Sequence, residues 1–352
     1  MKRLVCAVLL MCACGSGDGG ESSGGMAGAA GGGAGKSGAQ AGQTAGMNPT
    51  PGPAHFFPSG NPWTRDVSGA AKDPQSANII AWLDAQGFGL GRFQIDFGIE
   101  LLRADANTPR RAFTPTKDFF TPDCDNVPVP LPAGGNIEGN NGYACASDPD
   151  GDCHLLVWDE PGQKLFEMWR AHVTEGAFRG GCLAVWDLTK VYPATGRGDQ
   201  CSSADAAGFP IAPLLFNADE VAAGEVAHAI RFILPNERIR QGQYVRPATH
   251  GTRATTGPMQ APPYGVRLRL RSDYPLDMLP TAGARTVAKA LQKYGMLLAD
   301  GGNVALTAQS DRHTKAKWEG LLGSRDLQAI RPKDFDVIDM GTPVPLTLDC
   351  ER

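Results

Sequence analysis

The chain has 352 residues, of which 42% are hydrophobic and 20% charged, and its formal net charge is −4. That acidic balance argues against a nucleic-acid partner. The length suits one large folded body preceded by export and spacer sequence.

Met1-Lys2-Arg3 is a short basic start and Leu4–Ala13 an apolar run. At roughly ten residues the run is too short to span a bilayer, which takes about 20. It ends in Leu10-Met11-Cys12-Ala13-Cys14, which resembles a bacterial lipobox, so residues 1–13 are expected to leave as a lipoprotein signal peptide. The resemblance implies diacylation of Cys14 and acylation of its amine (palmitate-type chains), a membrane anchor stable where one chain would be marginal. No aspartate directly follows Cys14, so an outer-membrane or cell-surface location is expected. Residues 14–54 are Gly, Ala and Ser with almost no bulky side chain. Such a stretch reads as a flexible tether with a reach of about 35 Å.

The body is then expected to be a single domain over 55–352. Asp73-Pro74 predicts the start of a helix that Gly87 ends, with Ile79, Ile80, Trp82 and Leu83 as its apolar stripe. Apolar and polar residues alternate from Arg92 to Arg103, which predicts one strand. Residues 107–141 are loop-rich. A hairpin is predicted from His154–Asp159 and Lys164–Trp169 across Pro161-Gly162. Further strands are predicted at Cys182–Asp187, Glu225–Leu234, Gln243–His250, Val266–Arg271, Met296–Asp300, Val304–Ala308 and Phe335–Asp339, and a second helix at Gly283–Tyr294. Many short strands and two clear helices predict a mainly β body, a sandwich or jelly roll with a few peripheral helices. A parallel α/β sheet is disfavoured, because strands do not alternate regularly with helices.

Of nine cysteines, Cys124, Cys145, Cys153, Cys182, Cys201 and Cys350 belong to the body. In an exported chain six cysteines predict three disulfides, with fifteen pairings open, and the spacing fits no zinc pattern.

Several stretches are recognisable as a set: Asn61-Pro62-Trp63 to Ser68, Ser76–Trp82, Asp150-Gly151-Asp152-Cys153-His154, Leu165–Trp169, Trp186–Thr189, Ser203–Pro213, His228–Phe232 and Tyr294–Asn303. Together they resemble a widespread family of secreted, uncharacterised bacterial proteins, whose members often join this body to carbohydrate-binding or fibronectin-like modules. The resemblance implies a common fold and a common site and supplies no activity. Cys153 stands where such relatives usually carry a basic residue.

Candidate chemistry gathers in a few segments. In the hairpin, Asp152, His154 and Glu167 share one face with Trp158 and Trp169, the acids, imidazole and indole surface that a sugar cleft needs. The same residues also fit a solvent-facing strand pair with a local His–Glu contact. Cys201–Leu234 threads Asp205, His228 and Arg231 through apolar sequence, and buried charge is costly unless paired or used. His228 and Arg231, three apart on a predicted strand, point to opposite faces. Arg267, Arg269 and Arg271 predict a basic strand face that would suit an acidic polysaccharide or be tied up in salt bridges. His154, His228 and His250 lack any tight metal spacing, and Asp148–Asp152 lacks the downstream glutamate of a calcium loop. The cofactor is unknown from sequence, a His/carboxylate metal site or a bound calcium staying open, and no GxSxG elbow or credible nucleotide loop occurs.

Two functions follow as expectations. One is a lipid-anchored carbohydrate-active enzyme, a polysaccharide hydrolase or lyase. Its acid/base groups are sought among Asp152, His154, Glu167, Asp205 and His228, and its substrate contacts among Trp158, Trp169, Arg231, His250 and Arg267. The alternative is a non-catalytic surface lipoprotein that binds glycan or another ligand in the same groove.

Overall fold

The computed structural model describes residues 56–148, 151–339 and 341–352. The expected signal peptide, Cys14 and the expected tether lie outside the described residues, as does Asp150. Two sheets dominate. A six-stranded sheet has the order β1 (Ile95–Ile99), β9 (Leu306–Gln309), β6 (Ile230–Leu234), β8 (Met296–Gly301), β7 (Arg267–Leu270) and β10 (Phe335–Val337). A four-stranded sheet has the order β5 (Cys182–Asp187), β4 (Lys164–Trp169), β3 (Leu155–Asp159) and β2 (Leu101–Ala104). Three α-helices are described: α1 (Ser76–Gln86), α2 (Ala218–Ala223) and α3 (Ala282–Lys293). The body is mainly β. Its sheets are mixed, because β1/β9, β6/β8 and β2/β3 pair in parallel.

The smaller sheet is buried on both faces, and period-two geometry explains how. Leu155, Val157, Phe166, Met168 and Leu183 enter one core with Leu102, Phe113 and Phe178. Leu156, Leu165, Ala184 and Trp186 enter the main core, which also holds the apolar side chains of the larger sheet and of α3. Each fully buried Leu, Ile or Phe contributes about 1.5–3 kcal/mol.

The alternating run from Arg92 to Arg103 is divided between the sheets. Its first half forms β1 and its second half β2, and the change occurs at Glu100, buried and paired with Arg312 at 3.0 Å. Alternation alone cannot reveal such a break, because the pattern continues through it. The hairpin has the expected register, Leu156 opposite Glu167, with His154 one residue outside the ladder. The strand expected at Glu225–Leu234 starts only at Ile230, and that expected at Gln243–His250 is confined to Gln243–Tyr244. Helix α1 begins at Ser76, two residues after Pro74. Asp73 accepts from the Gln75 amide at 2.7 Å in the turn leading in. Asn217 and Glu220 form a capping box at α2, a third helix not expected from sequence.

Three disulfides join Cys124 to Cys182, Cys145 to Cys153 and Cys201 to Cys350. They suit an oxidising, extracytoplasmic compartment. Among the described residues no helix is long and apolar enough to cross a membrane.

Candidate active site

The segment Ser203–Gly208 lies over the C-terminal half of β8 and is tied down almost atom by atom. Ser203 Oγ donates to the Phe209 carbonyl at 2.6 Å and accepts from the Asp205 amide at 2.9 Å. The Ala207 amide donates to the Ala299 carbonyl of β8 at 2.8 Å. Gly208 has φ of +77°, and a Cβ there would meet Thr249 Oγ1 at 2.1 Å, so only glycine fits this turn. His154 Nε2 donates to the Ala204 carbonyl at 3.1 Å, and His250 Nδ1 to the Ala206 carbonyl at 2.8 Å. Asp205 is thus held between two carbonyls, each fixed by an imidazole.

Arg231 is the centre of the charged cluster. Its Nε and Nη2 clamp both oxygens of Asp205 at 3.0 and 2.8 Å. The same Nη2 donates to Asp300 at 3.1 Å, and Nη1 donates to Thr307 at 3.1 Å. Asp300 reaches this face because the β6/β8 register slips by one residue: Phe232 pairs with Leu298 but Ile233 with Asp300. Side chains alternate along a strand, so the extra residue, Ala299, turns Asp300 to the side that Arg231 occupies.

The electrostatics differ within the cluster. Burial pushes the Asp300 carboxyl up to about 8, and the Asp205 charge adds to the effect against the pull of Arg231. Asp300 therefore carries its proton at neutral pH. Burial works against charge on Arg231, but Asp205 and Asp300 outweigh it and hold the guanidinium firmly protonated. Burial likewise opposes charge on His154, yet Glu138, 2.7 Å from Nδ1, prevails and lifts the imidazole to about 9. Burial followed by the Glu138 charge raises Asp96 on β1.

A cavity of about 270 Å³ opens against this cluster, with Asp205, Asp300, Tyr264, Asn236, Asp152 and Trp169 among its lining residues. Burial raises the Tyr264 phenol well above its ordinary range, so it is a neutral hydroxyl. At the rim, Trp169 Nε1 donates to Asp152, and Arg170 lies over the indole with its guanidinium carbon 5.3 Å from the ring centre.

Of the residues singled out from sequence, Asp205, Arg231, Asp152 and Trp169 come together here, with His154 behind them as a positioning group. Five others do not line this cavity. Glu167 is fully buried between the sheets. It accepts from the Ile211 and Ala212 amides at 2.8–3.0 Å and from Trp186 Nε1 at 3.0 Å. Even so, burial pushes it up to about 7. The face of the hairpin that Glu167 occupies with Leu156 and Leu165 meets the core, not a cleft. His228 lies before β6 and donates from Nδ1 to the Ala229 carbonyl at 2.7 Å, with Nε2 3.4 Å from Glu220. Trp158 is covered by Arg103 and met edge-on by Phe56. His250 is spent on the Ala206 carbonyl, and burial lowers its pKa. Arg267, far from presenting a basic face, is buried and donates to the carbonyls of Tyr294, Pro62 and Arg65 at 2.7–3.2 Å. Arg269 does the same for Val67, Ser68 and Ala70, so both fasten the 62–70 strap to the sheet.

Sequence reasoning missed Asp300, Glu138, Asp96 and Tyr264. Asp300 carried a usable signal, an acid ending an apolar strand before Gly301-Gly302, and the burial argument made for Asp205 applies to it equally. Glu138 lies in a loop rich in Gly and Asn and carried none.

Comparison with protein-family models, with curated proteins and with solved structures finds no match.

Proposed function

We propose that the protein is a lipid-anchored, extracytoplasmic polysaccharide hydrolase in which Asp300 is the general acid and Asp205 the charged partner. One observation carries this reading: two carboxyl groups share a single arginine nitrogen beside a cavity, and one of them keeps its proton at neutral pH. Environments that push two acids apart are how acid/base roles are assigned. Asp300 is suited to protonate a departing glycosidic oxygen. Asp205, fixed by Arg231, is suited to stabilise the positive charge that develops at the sugar carbon. Tyr264 supplies a neutral hydroxyl and Trp169 an apolar edge for a sugar ring. The resemblance to secreted bacterial proteins that carry carbohydrate-binding modules supports the substrate class. The Leu10–Cys14 motif supports an anchor at Cys14 that holds the domain at the cell surface.

The test is reducing-sugar release from a panel of polysaccharides by wild type, Asp300→Asn and Asp205→Asn. Release by wild type and its loss in Asp300→Asn is expected. Release by both variants at the wild-type rate would remove the pair from the mechanism. A UV-absorbing unsaturated product would make the enzyme a lyase, and binding without release from any polymer would favour the glycan-binding alternative. The anchor is tested separately: Cys14→Ala is expected to abolish incorporation of labelled palmitate and free the protein into the medium.

A further inference from the structure

A second cavity of about 640 Å³ lies on the opposite face of the smaller sheet from Glu167, against Phe166 of β4 and Val185 of β5. Five cationic side chains line it (Arg110, Lys164, Lys190, Arg197 and Arg352) against two carboxylates, Asp125 and Asp187. This excess stands out on a chain whose net charge is −4.

The five cations outnumber the three carboxylates that pair with them. Arg197 and Arg352 converge on the one carboxylate of Asp125, each at 2.6 Å. Burial pulls the Arg197 pKa down, Asp125 opposes this, and the Arg352 charge adds to the fall. Its Nε is buried without a hydrogen-bond partner. Lys190 is 3.5 Å from Asp187, and Arg110 is paired with Asp159, which does not line the cavity. Lys164 is exposed and has no ion-pair partner among the described residues. Two guanidiniums are held rigid by rings beneath them, Arg110 over Phe166 at 5.4 Å and Arg197 over Trp186 at 5.6 Å. Planar guanidiniums already oriented lose little entropy on gripping a planar oxyanion. Between them the floor is apolar, with Phe166, Val185 and Tyr192.

We infer that this cavity is a binding subsite for an acidic glycan, with the Val185 and Tyr192 side under the sugar ring and the cations around its carboxylate or sulfate. It stands apart from the Asp205–Asp300 pair and does not depend on the catalytic reading. The two regions do touch: Arg197 Nη1 donates to the Ser202 carbonyl at 3.3 Å, and Ser202 lines the smaller cavity. Occupation of one cavity is therefore positioned to be felt in the other.

The test is titration calorimetry of the full chain with oligogalacturonate, a sulfated dextran oligomer, neutral dextran and a DNA oligonucleotide of matched charge. The wild type, Asp300→Asn and a Lys164→Ala/Lys190→Ala double variant are compared. Both lysines are exposed, so the double variant is expected to fold. Binding of an acidic glycan that weakens with salt, about tenfold weaker in the double variant and unchanged in Asp300→Asn, is expected. Whichever of the two acidic oligomers binds more tightly identifies the anion. Equal binding of neutral dextran, affinity untouched by the lysine pair, no binding to either acidic glycan, or tighter binding to DNA would each overturn the inference. Because Asp300→Asn is expected to bind normally, failure of the catalytic reading leaves this result intact.

Discussion

Arg231 and Arg267 make an instructive pair. Both are buried, with exposures of 4% and 1%, and both are register partners of Leu297 on β8, one from each side. Arg231 meets two carboxyl groups that outweigh its burial and hold it firmly protonated. Arg267 meets only carbonyl oxygens, and burial followed by the nearby Arg65 charge pulls it down to about 9. One position stores charge beside a cavity; the other is a fastener for the 62–70 strap. The same residue type in the same row of a sheet becomes a site or a staple according to what faces it. The number of apolar neighbours along the strand does not distinguish the two.

The largest expected effect probes the charged side of that contrast. Asp300→Asn keeps the shape and removes the acidic proton, so kcat should fall about 10²- to 10⁴-fold, measured by reducing-sugar release. In the active wild type, the sign of the pH dependence follows: activity is lost as pH rises through about 8, where Asp300 gives up its proton.

Stability comes next. Arg231→Met should cost about 3–5 kcal/mol in urea unfolding, because it leaves Asp205 buried without its counter-charge and Asp300 without its donor. Arg267→Met should cost about 3 kcal/mol, from three carbonyls left unsatisfied at roughly 1 kcal/mol each. The sharper discriminator is pH. The Arg231→Met penalty should shrink towards acid, where the orphaned Asp205 takes up a proton, while the Arg267→Met penalty should stay level. Equal slopes for the two variants would erase the distinction.

A third expectation concerns the wild type. Asp300, Glu167 and His154 all have folded pKa values above their ordinary 3.8, 4.5 and 6.5, at about 8, 7 and 9. Each therefore contributes stability that is complete at low pH and is lost as pH rises through its folded value. Asp66, Asp105, Asp187, Asp199 and Glu138 are shifted the other way and weaken the fold only at more acid pH. The melting temperature should accordingly be highest near pH 5 and fall towards pH 9, with a shallower fall in Asp300→Asn. The smallest effect is His250→Ala, about 1 kcal/mol for one lost bond to the Ala206 carbonyl, read from thermal unfolding.

These contrasts also mark how far the sequence was legible. The hairpin register could be derived because period-two geometry and a Pro-Gly turn leave little freedom, and Leu156 does face Glu167. The tight turn at Gly208, with φ of +77°, agrees with the run of small residues Ala206-Ala207-Gly208. What could not be read was which way a buried polar group looks. Glu167 and Asp205 are both acids in apolar sequence, yet Glu167 answers backbone amides and Asp205 answers a guanidinium from a strand 26 residues away. Arg267 through Arg271 alternate as a solvated face would, but the 62–70 strap covers Arg267 and Arg269, and only Arg271 remains outside beside Asp273. Such choices are made by segments distant in the chain, and local pattern carries no trace of them.

The one-residue slip in β8 has a genetic consequence. Inserting a single codon in β6 between Phe232 and Ile233 would give Ala299 a partner and restore an unbroken ladder, swing Asp300 to the side away from Arg231 and bring Gly301 into its place. Every ionisable residue of the protein would survive such an in-frame gain, and the proposed proton donor would still be gone. A homologue retaining each acid but one residue longer in β6 at this point should therefore be treated as a different kind of molecule.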